Sequence, residues 1–129
     1  MITQSDLDQF TGTEQYYQHM LVKDMYCTDG VHYLATEAGA YWLIDLIASY
    51  QHVPEVAAEP FQVWTLKLHG DGQALAYMQR DSGEPHIVEQ EIPFTDFPEA
   101  LGPEFQLWLE FGSIDGTRAA KVLLLPSEH

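Results

Sequence analysis

Basic residues are scarce in this chain: five Lys and Arg stand against twenty Asp and Glu in 129 residues, a formal charge of −15. From Asp81 to Thr117 there are nine carboxylates (Asp81, Glu84, Glu89, Glu91, Asp96, Glu99, Glu104, Glu110 and Asp115) and no Lys or Arg. A surface of that sign repels a phosphate backbone, so direct nucleic-acid binding is excluded and a cationic partner is favoured. Cysteine is nearly absent as well. Cys27 stands alone, which excludes an internal disulfide and a thiolate-rich metal site within one chain and suits a reducing cytoplasm. No stretch approaches the ~18 apolar residues of a membrane span. The opening Met1 to Asp6 lacks the basic region and apolar run of a secretory signal. A cytoplasmic protein with no membrane partner is the expectation. Internal repeats and low-complexity tracts are also missing.

What the chain does contain is apolar mass. A hydrophobic fraction of 46% and an aromatic fraction of 12% belong to a packed globule, whereas an acidic disordered tail is poor in both. A single domain over residues 1–129 is expected, able to bury roughly two-thirds of the surface of its unfolded form. The hydrophobic period divides it into a helical part, about 1–53, and a sheet part, about 61–126, with Pro54 and Pro60 bracketing the change.

In the first part a short helix is expected around Thr13 to Val22 and a longer one from Thr28 or Asp29 to Tyr50. Thr28 and Asp29 both suit an N-cap, and Val31, Leu34, Ala35, Ala38 and Trp42 recur at helical spacing. The run Ala40 to Ala48 is apolar nearly all round, as in a helix covered on more than one side. After Pro60 the period becomes two. Gln62–His69, Gln73–Arg80, His86–Ile92, Phe105–Phe111 and Ala119–Leu125 read as strands, with turns at Gly70-Asp71-Gly72, Ser82-Gly83-Glu84-Pro85 and Ile114-Asp115-Gly116. Phe94 to Pro103, rich in Pro and carboxylates, reads as a connector. The expected class is α+β: two N-terminal helices packed on an antiparallel meander of about five strands.

Candidate sites are few. Asp45 interrupts the apolar run Trp42 to Ile47, and a carboxylate buried there would need a partner such as a backbone donor, Lys67 or a tyrosine hydroxyl. It is either an acid or base in a helix/sheet pocket, a structural hydrogen-bonding group, or part of a solvent-facing stripe. The six histidines make no metal-ligand spacing. Cys27 and His32 come close in sequence but lack a third ligand, so no metal and no cofactor are expected. Ser49, Ser82 and Ser113 lack a nucleophile elbow, and Gly70-Asp71-Gly72 lacks the Lys and following helix of a phosphate loop. No catalytic set emerges. Trp108 falls on the polar side of its strand between Gln106 and Glu110, either as an aromatic anchor in an interface or as a residue covered by the second face of the sheet.

The segments Phe10 to Tyr17, Thr28-Asp-Gly-Val31 and Ala38-Gly-Ala-Tyr-Trp-Leu-Ile-Asp-Leu-Ile-Ala-Ser49 resemble a family of small bacterial proteins of unknown function, also found on plasmids and in phages. The resemblance runs over most of the chain. It carries no catalytic residues over, but it implies a mobile-element setting and a protein that acts on other proteins.

The leading functional expectation is a non-enzymatic acidic binding module that docks on a basic surface of a host or defence protein, as a nucleic-acid mimic would. Its contact residues are expected among Glu89, Glu91, Asp96, Glu99, Trp108 and Glu110. Glu89 and Glu91 share a strand face at ~6.6 Å, about two steps of the ~3.4 Å charge spacing along one DNA strand. The second expectation is a small enzyme or ligand-binding domain whose pocket uses Asp45 with Tyr41 or His32. A third is a self-interface on an exposed strand face.

Overall fold

The computed structural model describes residues 2–113 and 119–129. Four α-helices occur among them: α1 (Gln4–Asp8), α2 (Asp29–Glu37), α3 (Tyr41–Tyr50) and α4 (Pro54–Ala57). Seven strands form one sheet: β1 (Tyr17–Gln18), β2 (Met25–Cys27), β3 (Phe61–Leu68), β4 (Ala74–Gln79), β5 (His86–Ile92), β6 (Glu104–Ser113) and β7 (Ala119–Leu124). The sheet order is β1-β2-β7-β6-β3-β4-β5, and it is mixed, because β2 runs parallel to β7 while every other pair is antiparallel.

This corrects the expectation of two helices on a five-stranded antiparallel meander. The strands expected after Pro60 are present, but β6 pairs with β3 rather than with β5. The connector between β5 and β6 carries the chain past the β3–β4 hairpin. Along it Phe97 and Leu101 are buried, and Phe97 packs on Phe105 with ring centroids 5.1 Å apart. The turn read at Ile114-Asp115-Gly116 lies outside the described residues.

The helix expected from Thr13 to Val22 is instead a loop and a strand. The Thr13 hydroxyl bonds the Gln15 carbonyl, and the Glu14 N–H donates to the Asp29 carboxylate. Tyr17 and Gln18 then pair with Cys27 and Tyr26. Tertiary partners outweigh a weak local helix preference here. The longer expected helix is broken in two at Gly39, whose φ of 62° only glycine adopts without strain. The Ala40 N–H reaches back to the Ala35 carbonyl at 3.0 Å, closing α2 with a Schellman turn. Ala35 and Ala40, both fully buried, supply the apolar contact that accompanies such a turn. Apolar periodicity runs through the break, so period alone did not reveal it.

Strand parity separates two sheet faces. Met25, Cys27, Trp64, Leu66, Ala76, Met78, Val88, Leu107, Leu109 and Leu123 share a core with Leu7, Val31, Leu34, Leu43, Ile44, Ile47 and Val56 of the helices. At its centre, Gln62 and Gln51 exchange amide hydrogen bonds at 3.0 and 3.1 Å. Gln62 also donates to the Val56 carbonyl and accepts from Trp64 Nε1 at 2.9 Å. This buried polar network is fully paired and ties α3, α4 and β3 together. The start of α2 is locked as firmly. The Thr28 hydroxyl and the N–H groups of Gly30 and Leu125 all donate to the Glu128 carboxylate, which therefore seals α2 against the chain end.

Candidate ligand-binding pocket

The turn after β1 folds back over the α2–α3 corner and encloses a cavity of about 400 Å³, a volume within the range of small-molecule sites. Its floor is Cys27 of β2. One wall is the His32 and Ala35 face of α2, a second is the Tyr41, Ile44 and Asp45 face of α3, and Met20 and Leu21 at the turn form the rim. The helical spacings 32/35 and 41/44/45 put these side chains on common faces. Met20 and Leu21 are 79% and 81% exposed, which leaves large apolar side chains bordering the mouth.

His19 sets the shape of the turn. Its Nδ1 accepts from the N–H groups of Leu21 and Val22, both at 3.1 Å, which assigns the ring proton to Nε2. That Nε2–H donates to Asp45 Oδ1 at 2.9 Å. Both ring nitrogens are thus engaged. The pair has the composition of a catalytic dyad, yet the lone pair a general base needs is occupied by backbone donors. Asp45, read as a candidate buried carboxylate, is in fact exposed: its side chain is 69% accessible, against 10% for His19. It sits at the pocket rim with one oxygen on His19, in reach of water, because α3 buries Leu43, Ile44 and Ile47 and turns Asp45 outward.

Cys27 is equally unsuited to attack. Burial, followed by the negative charges of Asp45 and Glu128, pushes its thiol up to about 12, so at neutral pH it is protonated. His32 stacks on Tyr17 with centroids 4.0 Å apart and planes 6° apart. Its ring nitrogens have no hydrogen-bond partner among the described residues. The Tyr17 hydroxyl lies 3.2 Å from Asp29 and 3.1 Å from Gln15, and partial burial together with Asp29 raises its pKa. In return the Glu14 N–H, with Tyr17 and Thr13 assisting, holds the Asp29 carboxyl below the usual carboxylate range. The Tyr41 hydroxyl meets the Thr36 hydroxyl at 3.1 Å. Asp45, Tyr41 and His32, named together from the sequence, do line one cavity. His19 was missed as their organiser, and its partner lies 26 residues away, beyond any local signal.

The acidic candidates are placed differently. Register puts Glu89, Glu91, Trp108 and Glu110 on the sheet face opposite the helices, in cross-strand rows Gln106–Thr65–Tyr77–Glu89 and Glu104–Lys67–Leu75–Glu91. Glu104 joins them. Asp96 and Glu99 do not, since they stand on the β5–β6 connector. Two of the four carry a histidine: Glu89 lies 2.7 Å from His86, and Glu110 lies 3.0 Å from His129. Trp108 is half-buried, with Phe61 and His129 edge-on to its ring. Among the described residues no three His, Cys, Asp or Glu side chains converge as a metal-ligand set, and no helix is long and apolar enough to cross a membrane.

Comparison with curated proteins gives no match. Among solved structures, a crystal structure of a protein of unknown function from Enterococcus faecalis is similar in fold, with a TM-score of 0.55 and 18% identity, covering 82% of this chain and 90% of that one. At that identity the likeness concerns the fold alone. The model of the family of unknown function DUF6876 matches residues 1–129, and the chain belongs to that family.

Proposed function

We propose that the chain is a small non-enzymatic binding domain whose α2–α3 pocket takes up a compact, largely apolar molecule. The observation that carries this reading is the cavity lining: Met20, Leu21, Ala35 and Ile44 give it apolar surface beside the aromatic Tyr17 and Tyr41, while His19 is held at both nitrogens and Cys27 is a thiol. Such a site has what binding needs, and neither His19 nor Cys27 is an activated base or nucleophile. The bacterial, mobile-element setting implied by the Gly-Ala-Tyr-Trp-Leu-Ile-Asp segment and a cytoplasmic location belong to the same proposal. The test is an NMR screen with apolar fragments. Shifts confined to Ala35, Ile44 and Leu21, and abolished in Leu21→Asp with an unchanged Tm, support the reading. Fragments that perturb no pocket resonance overturn it.

A second reading has its own support. Glu89, Glu91, Glu104 and Glu110 share the helix-free sheet face, where Lys67 is the one basic side chain among the described strand residues. That distribution favours docking on a basic protein surface, as expected for an inhibitor of a nucleic-acid-binding host or defence protein. Such docking weakens steeply with salt. Partners retained equally at low and high ionic strength, or unaffected by charge reversal at Glu89, Glu91 and Glu110, rule it out.

A further inference from the structure

The chemistry of the pocket mouth narrows what can enter. Asp45 gives one oxygen to His19, and its other oxygen has no hydrogen-bond partner among the described residues. The carboxylate is exposed and keeps a free acceptor at the rim. Around it stand the Tyr17–His32 stack, Tyr41 and the apolar Leu21 and Ile44, with no Lys or Arg in the lining. An anion entering this space meets Asp45 and a chain of net charge −15. A neutral apolar molecule gains only burial. A cation with an apolar body gains burial, a charge-assisted hydrogen bond to the carboxylate and attraction to aromatic faces. His32, with unpaired ring nitrogens, offers a further acceptor for an ammonium N–H when its ring is neutral.

We propose that the pocket selects a small free hydrophobic amine, with its ammonium group at Asp45 and its apolar body over Cys27, Ala35 and Ile44. This assignment rests on the pocket being a binding site, and it adds the charge of the ligand. The helix that carries Asp45 is fixed by its buried face, and the carboxylate is oriented by His19, so the cation site is formed before the ligand arrives.

Phenethylammonium, 2-phenylethanol and phenylacetate share one apolar body and differ in charge, so calorimetric titration of the three decides the matter. The amine is expected to bind at least tenfold more tightly than the alcohol, and the acid to give no heat. In Asp45→Asn the amide oxygen can still accept from His19, so the fold is retained by Tm while amine and alcohol become equal. Equal binding of amine and alcohol by the unaltered protein overturns the charge assignment but leaves the pocket reading standing. Absence of pocket shifts with all three probes overturns both. Two further arms remove competing explanations. Glu89→Gln with Glu91→Gln should leave amine binding unchanged, and a loss equal to that of Asp45→Asn would mean that the general field, not the pocket, holds the cation. A short peptide with one Lys should bind more weakly than the free amine. Tighter binding of the peptide would assign the pocket to a partner's side chain and overturn the free-amine reading.

Discussion

The two faces of the sheet solve the burial of polar groups in opposite ways. On the helix side, Gln51, Gln62 and Trp64 are withdrawn from water and every polar atom among them finds a partner. On the outer side the carboxylates stay wet: Glu89, Glu91 and Glu104 are exposed, and the contact of Glu89 with His86 is surface chemistry. The pocket lies between these regimes. His19 is enclosed and engaged at both nitrogens while its partner Asp45 reaches solvent. Side chains are therefore costly to change on the helix side and cheap to change on the outer one. Buried polar groups resist substitution because a lone orphan pays full desolvation, whereas exposed carboxylates are replaceable and therefore available for recognition.

The largest effect concerns Cys27, on the buried side. With its thiol pushed up to about 12 from the ordinary 9.0 and its side chain buried, far less thiolate is present at pH 8, so iodoacetamide should label the folded protein at least about tenfold more slowly than the chain in urea. Labelling at equal rates would show that the floor of the pocket is open and wet. Next, Gln62→Leu strands the Trp64 indole N–H, the Gln51 amide and the Val56 carbonyl, and should cost about 2–4 kcal/mol in urea unfolding.

Gly30→Ala sharpens the same point from another direction. An added Cβ would stand 2.6 Å from both Glu128 Oε1 and Leu125 Cδ1, so the cap must shift, at about 1–3 kcal/mol. The Asp29 carboxyl provides a pH signature. Because its folded pKa lies below 3.8, the unfolded chain takes up the proton first on acidification, so the stabilisation is present above about pH 4 and is lost as pH falls through the folded value. Asp29→Asn should therefore be less stable at pH 6, with the gap closing in acid melts. The smallest effect belongs to the outer face. Glu91→Lys should change stability by no more than about 0.5 kcal/mol, and a larger loss would mean that the exposed face is structurally committed after all.

Legibility followed the range of the responsible interaction. The strand runs after Pro60 were readable because alternation reports directly on which residues face the core, and His86–Ile92 is found with the boundaries expected of it. The Thr28 cap was equally local. Gly39 carried a stop signal that the uninterrupted apolar period obscured. Gln62 shared a strand face with Trp64 and Leu66, a hint of a buried amide whose partners were not inferable. The pocket was half visible: Asp45, Tyr41 and His32 were grouped from the sequence, but whether Asp45 faces the core or the solvent was left open, and it stands outside because the rotation of α3 is set by what packs beneath it.

The sign and weight of the charge, the strand segments after Pro60, the turns at Gly70-Asp71-Gly72 and Ser82-Gly83-Glu84-Pro85, and the Trp64 and Leu107 faces of their strands were all set by the sequence alone, since they depend on composition or on neighbours a few residues away. Tertiary structure alone decided that β6 lies beside β3, that β2 joins β7 in parallel, and that His19 closes a turn against Asp45. An apolar period specifies a face but not the neighbour that covers it, and a hydrogen bond between distant residues forms only once packing has brought its donor and acceptor together.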